Sequence, residues 1–165
     1  MLDMDRRAAE AAHKAIEIMR SATQVPENER MDTLERTATR ALGVLQEEGV
    51  YAAFLFLLSR SGAKTRFEEL TKPEEAAATA LAAQLLQLLL DGGMFNLNKG
   101  QQALQAREDP AWVNETKLDI LRWLADPAGV GGELRRLLIV RSLLERVLTY
   151  TRYGARALRP EAEGR

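Results

Sequence analysis

Apolar residues recur along this chain at the three-and-four spacing of a helix rather than the alternation of a strand. Ala8, Ala12, Ala15, Ile16 and Met19 predict a first helix over residues 3–22, with an early Asp placed to satisfy its free N–H groups. Ser21 to Pro26 breaks it. Met31, Leu34, Ala38, Leu42 and Leu45 form one stripe of a second helix over 27–48, and Gly49 supplies the left-handed residue that commonly ends a helix. A third helix, 50–61, is apolar on every side, which predicts a place at the centre of a bundle. Gly62 closes it.

Residues 62–70 read as a charged connector. Thr71 and Glu74 match a capping box around Pro73, which suits a helix's first turn, so a fourth helix is predicted from there to about Leu90. Asp91-Gly92-Gly93 stops it. Residues 92–109 read as a loop with a short helix over 101–106. Asp109-Pro110 starts a fifth helix carrying Trp112, Thr116, Ile120, Trp123 and Leu124, and Asp126-Pro127 ends it. Both tryptophans sit among Ile and Leu, where core packing is expected. After the glycines at 129–132, a long last helix spans 133–159. With no internal repeat or linker, the prediction is an all-α, single-domain helical bundle of about six helices over 1–165.

Composition agrees. Leu (26) and Ala (25) far outnumber Ile and Val together (11), favouring helix over sheet. No cysteine means no disulfide framework, thiolate zinc site or cysteine nucleophile. The longest apolar run, 50–58, is about half a membrane span, and Met1 to Arg7 places acids where a signal peptide needs apolar residues. A cytoplasmic protein without membrane contact is expected.

Catalysis is not expected. Glu10 and His13 have the ExxH spacing of helical di-iron sites, but those need a second such pair, and His13 is the only histidine. Hydrolytic triads fail on the same count. No phosphate-cradling glycine motif follows a strand. The acidic pairs at 47–48, 68–69 and 74–75 point apart and read as solvated faces. Neither metal nor cofactor is expected.

Charge is more informative. From Leu134 to Arg159 there are seven arginines and one acid, a local net of +6, while the rest of the chain carries −7. At 100° per residue, Arg141, Arg152, Arg156 and Arg159 fall within about 60° of one another. Arg135 and Arg146 extend that side, and Arg136 lies away from it. Leu137, Val140, Leu144, Val147, Thr151, Ala155 and Leu158 take the opposite side. Arg141 to Arg159 covers roughly 27 Å at 1.5 Å per residue, enough to follow several phosphates of a nucleic-acid strand without reading bases. Arg60, Lys64 and Arg66 are candidate helpers. Tyr153 is expected to pack on a neighbouring helix rather than stack on a base. The excess of Arg over Lys, 18 to 5, suits phosphate recognition but equally fits a GC-rich genome. A polyanion role requires these guanidinium groups to be free of acids within the same subunit.

Three stretches resemble the small all-helical subunit of the type III-B CRISPR RNA-guided effector, the Cmr complex. Arg7-Ala8-Ala9-Glu10-Ala11-Ala12 looks like that family's opening helix. Residues 42–50, Leu-Gly-Val-Leu-Gln-Glu-Glu-Gly-Val, continuing through Ala53-Phe54-Leu55 to Ser59-Arg60, are similar to its region where one helix ends at Gly and a buried helix follows. Tyr150-Thr151-Arg152-Tyr153-Gly154-Ala155 looks like its aromatic-x-Arg-aromatic ending. Gly43 departs from the family's usual Pro, Glu48 from Asn and Val50 from Leu. Residues 92–131 have no counterpart and read as an insertion. The resemblance implies a non-catalytic subunit, stacked with copies of itself beside other subunits and helping to hold the guide–target RNA duplex.

Two other classes compete. A helical adaptor would dock its arginines on an acidic partner or on its own acidic remainder, without nucleic acid. A DNA-binding helix-turn-helix regulator fits less well, because the basic helix is terminal and long for a recognition helix.

Overall fold

The computed structural model describes residues 2–91, 104, 107–127 and 130–160, and among them it contains six α-helices and no strand. They are α1 (Leu2–Arg20), α2 (Glu27–Glu48), α3 (Val50–Arg60), α4 (Pro73–Asp91), α5 (Lys117–Ala125) and α6 (Leu134–Ala157). The all-α bundle with a long C-terminal helix is therefore the observed architecture. None of the described helices is long and apolar enough to cross a membrane. The short helix expected over 101–106 lies outside the described residues except for Leu104, which is buried.

α6 packs most extensively against α2 and α1, and α4 also packs against both; α4 and α6 touch one another only slightly. Two helices are thus bridged from opposite sides. Ala38, Ala41 and Leu45 of α2 and Ala8, Ala15 and Met19 of α1 fill the space between them.

The central helix is α4, not α3. Every residue from Ala76 to Leu86 is buried, and α4 contacts α1, α2, α3 and the 3-10 turn Pro110–Asn114. Its alanines make this possible, since small side chains let neighbours approach on several sides. α3 is one-sided: Tyr51 and Leu55 are 44% and 46% exposed, and Phe56 is half-buried beneath the Arg60 guanidinium. An apolar circumference signals burial only when enough helices surround it, and α3 sits at the flank.

The fifth helix starts later than predicted. Pro110–Asn114 is a 3-10 turn, and α5 begins at Lys117. Asp109 still caps the segment, but its carboxylate has two tasks: it accepts from Ala111 N–H at 2.9 Å and from Phe67 N–H at 3.1 Å. The connector is fastened from the same side. Asn114 Nδ2 donates to the Ser61 and Lys64 carbonyls, and Lys117 Nζ donates to the Gly62 carbonyl at 2.6 Å. Burial holds the Lys117 pKa below its ordinary value, with the charge of Glu75 opposing that shift. Trp112 and Trp123 are core residues, as the pattern predicted.

Candidate nucleic-acid interface

α6 turns Val140, Leu143, Leu144, Val147, Leu148, Thr151 and Ala155 inward. Of the predicted inward set, Leu137 is half-buried and Leu158 is exposed. Arg141 Nη2 donates to the Gln46 carbonyl at 2.9 Å, and Arg156 Nε donates to the Glu35 carboxylate at 2.7 Å. The two contacts pair the start of α6 with the end of α2, so the helices run antiparallel.

The arginines do not form a free ridge: the requirement that they be clear of acids in their own subunit is not met by Arg141, Arg146, Arg156 or Arg159, so the ridge expected from the sequence is corrected here. Arg141 Nε lies 3.3 Å from Glu145 in the next turn. Arg146 Nη1 lies 3.8 Å from Asp5 of α1, and Tyr150 O–H donates to the same Asp5 oxygen, which raises the Tyr150 pKa. Arg159 Nη1 lies 3.1 Å from Asp32 and 3.2 Å from Glu35. Four of the five α6 candidates are therefore held by acids of their own subunit. The wheel placed these arginines on the outer side of α6; Arg141 meets Glu145 of the same helix, and Arg146, Arg156 and Arg159 meet acids of α1 and α2 that a single-helix projection does not show.

Each pairing leaves donors over, because a guanidinium has five N–H groups. Arg156 spends Nε on Glu35 and keeps Nη1 and Nη2; its side chain is 54% exposed. Arg159 spends Nη1 and keeps Nε and Nη2. Arg152 has no acid partner among the described residues: its Nε is buried without an acceptor there, and its guanidinium carbon stands 5.5 Å from the centre of the Tyr153 ring. Along α2, Arg36 Nε lies 3.4 Å from Asp32, and Arg40 is exposed with no ion pair among the described residues. Of Arg36, Arg40, Arg152, Arg156 and Arg159, three meet the two carboxylates Asp32 and Glu35 and two do not, so these seven residues carry a net of +3 along the α2–α6 seam.

Arg60, Lys64 and Arg66 lie elsewhere, at the end of α3 and on the connector that Asn114 and Asp109 fasten. Arg66 is paired with Glu68. Tyr153 is 55% exposed rather than packed on a neighbouring helix, so its ring is open beside Arg152. His13 Nε2 lies 2.8 Å from Glu17 on the exposed side of α1.

Sequence reasoning missed the α2 half of the seam. The signal was Glu35: it falls within the Met31, Leu34 and Ala38 stripe, and an acid on a buried face calls for a cation opposite. It is 7% exposed and the only carboxylate buried among the described residues. Comparison with protein-family models, curated proteins and solved structures returns no match.

Proposed function

We propose that this chain is the non-catalytic small subunit of a type III-B CRISPR RNA-guided effector complex, stacked with copies of itself and holding guide and target RNA by the backbone. With the free ridge lost, one observation supports the reading: Arg36, Arg40, Arg152, Arg156 and Arg159 outnumber Asp32 and Glu35 by three along the α2–α6 seam, and Arg156, its side chain 54% exposed, spends only Nε on its acid among the described residues. Phosphate contacts of this kind give affinity without sequence preference, and base pairing supplies the specificity in guide-directed systems. The segments that carry the resemblance also do structural work here. Residues 42–60 span the end of α2, the positive-φ Gly49 (φ 98°) and α3, while Tyr150 and Gly154 fit α6 against α1, with Tyr153 exposed and Arg152 half-buried beside it. A few phosphate contacts per copy are modest alone and add up when copies are arrayed. The test is isolation of the tagged chain from its own cells followed by sequencing of bound RNA. A population of short guide RNAs is expected, and RNA no different from that on an untagged control contradicts the proposal.

A second reading has its own support. The acids that hold Arg141, Arg146, Arg156 and Arg159, together with exposed Leu134 and Leu138 beside Arg135, suit a protein-binding adaptor that self-associates without nucleic acid. Salt-sensitive oligomerisation in the absence of RNA favours that alternative.

A further inference from the structure

The carboxylates in the seam look at first like competitors of RNA, since they occupy the arginines RNA would use. Their geometry argues otherwise. Glu35 Oε1 accepts from Nε of Arg156 at 2.7 Å, which leaves the Nη1–Nη2 edge without a partner among the described residues. Arg159 Nη1 donates to Asp32 Oδ1 at 3.1 Å and lies 3.2 Å from Glu35 Oε2, which leaves its Nε–Nη2 edge without a partner among the described residues. Either edge matches the spacing of two non-bridging phosphate oxygens, the bidentate geometry in which a guanidinium binds most strongly.

Glu35 is fixed in turn. It is nearly buried on α2, and its position on the helix is set by Met31 and Leu34 packing into the core beside it. A long exposed Arg side chain otherwise samples many rotamers, and ordering it on binding costs affinity. An immobile acid behind the guanidinium removes part of that cost before RNA arrives.

We propose that Glu35 is a positioning residue that holds Arg156, and with Asp32 holds Arg159, so that each presents a two-nitrogen edge to a phosphodiester backbone. This rests on the RNA-backbone reading of the seam. It separates from simple electrostatics in sign: removing Glu35 makes the chain more positive and by charge alone tightens RNA binding, whereas loss of positioning weakens it. It separates from a purely structural clamp by the melting curve, because lost positioning weakens binding in a variant that melts with the parent, and Glu35→Gln, whose amide still accepts from Arg156 Nε, restores that binding.

The experiment is fluorescence anisotropy of a labelled oligouridylate at low salt, with each variant's fold checked by its melting curve. Glu35→Ala is expected to weaken binding about threefold or more despite the added positive charge, and Glu35→Gln to stay within about twofold of the parent. Arg156→Lys keeps the charge without the edge and is expected to weaken binding about as much as Glu35→Ala. It alters an exposed side chain, so it carries the test if Glu35→Ala does not fold. Tighter binding by Glu35→Ala, or unchanged binding by Arg156→Lys, overturns the positioning role. The paired reversal Arg156→Glu with Arg159→Glu tests the underlying reading separately: if it leaves affinity unchanged, or the parent binds no oligouridylate, the seam is not an RNA surface at all.

Discussion

Gly154 of α6 lies so close to Ile16 of α1 that a β-carbon placed on it would stand 2.6 Å from Ile16 Cδ1. The end of the Ile16 side chain sits against the α6 backbone there, one turn beyond the contact of Tyr150 with Asp5. Two effects of Gly154→Ala oppose each other: Ala gains about 1 kcal/mol of helix propensity, and the new methyl must displace the Ile16 terminus. Ile16→Val deletes that terminal methyl. Gly154→Ala is therefore expected to be more favourable in the Ile16→Val background than in the parent, by about 1 kcal/mol. A double-mutant cycle measured by urea unfolding checks it; additive effects refute the close contact.

Asp109 should act as a two-sided clasp. Asp109→Ala removes the acceptor for both Ala111 N–H and Phe67 N–H, which joins the cap of a 3-10 turn to a segment 42 residues earlier. A loss of about 2 kcal/mol is expected, with Asp109→Asn losing less because one oxygen remains. Equal losses in the two variants, read from denaturant midpoints, would mean that the clasp depends on charge rather than on accepting these bonds.

Burial of α4 makes a sharp contrast with α3. Ala80→Leu forces a large side chain into a fully enclosed position and is expected to cost about 3 kcal/mol. Leu55→Lys on the outer side of α3 is expected to change stability by no more than about 0.5 kcal/mol. Comparable melting temperatures for the two variants contradict the assignment of α4 as the central helix.

Much of this arrangement was legible in the pattern of the chain. The stripe of α2, its stop at Gly49 and the inward set of α6 follow from local spacing, which a helix imposes whatever its neighbours. The exchange of α3 and α4 was not legible, because burial depends on how many elements surround a helix. α3 is richer in bulky apolar residues, yet the alanines of α4 are what allow close approach from several sides. The ion pairs of α6 were hidden for a related reason: Arg156 and Glu35 are 121 positions apart, and only the packing of α6 on α2 brings them together. The local hints were Glu35 on a buried stripe and Glu145 one turn beyond Arg141.

Two groups give opposite pH dependence near pH 10. Lys117 has its pKa lowered, so its charged form is disfavoured in the fold, and its contribution to stability rises as pH climbs from that lowered value towards 10.5. Tyr150 has its pKa raised, so the fold favours its protonated form, and that contribution is lost as pH rises above 10. Relative to Lys117→Met, the parent should gain stability on approaching pH 10.5. Its advantage over Tyr150→Phe should shrink above pH 10. Unfolding curves from pH 8 to 11 check both signs, and flat differences rule out these interactions as the cause.

The most direct test of the seam is the salt dependence of RNA binding by the parent and by a variant carrying Arg152→Glu, Arg156→Glu and Arg159→Glu. For single-stranded RNA each phosphate contact adds about 0.7 to the slope of log K against log salt, so losing three contacts should flatten it by about 2 and weaken binding at low salt. The same slope and the same affinity in both proteins would contradict an RNA-holding role for the α2–α6 seam.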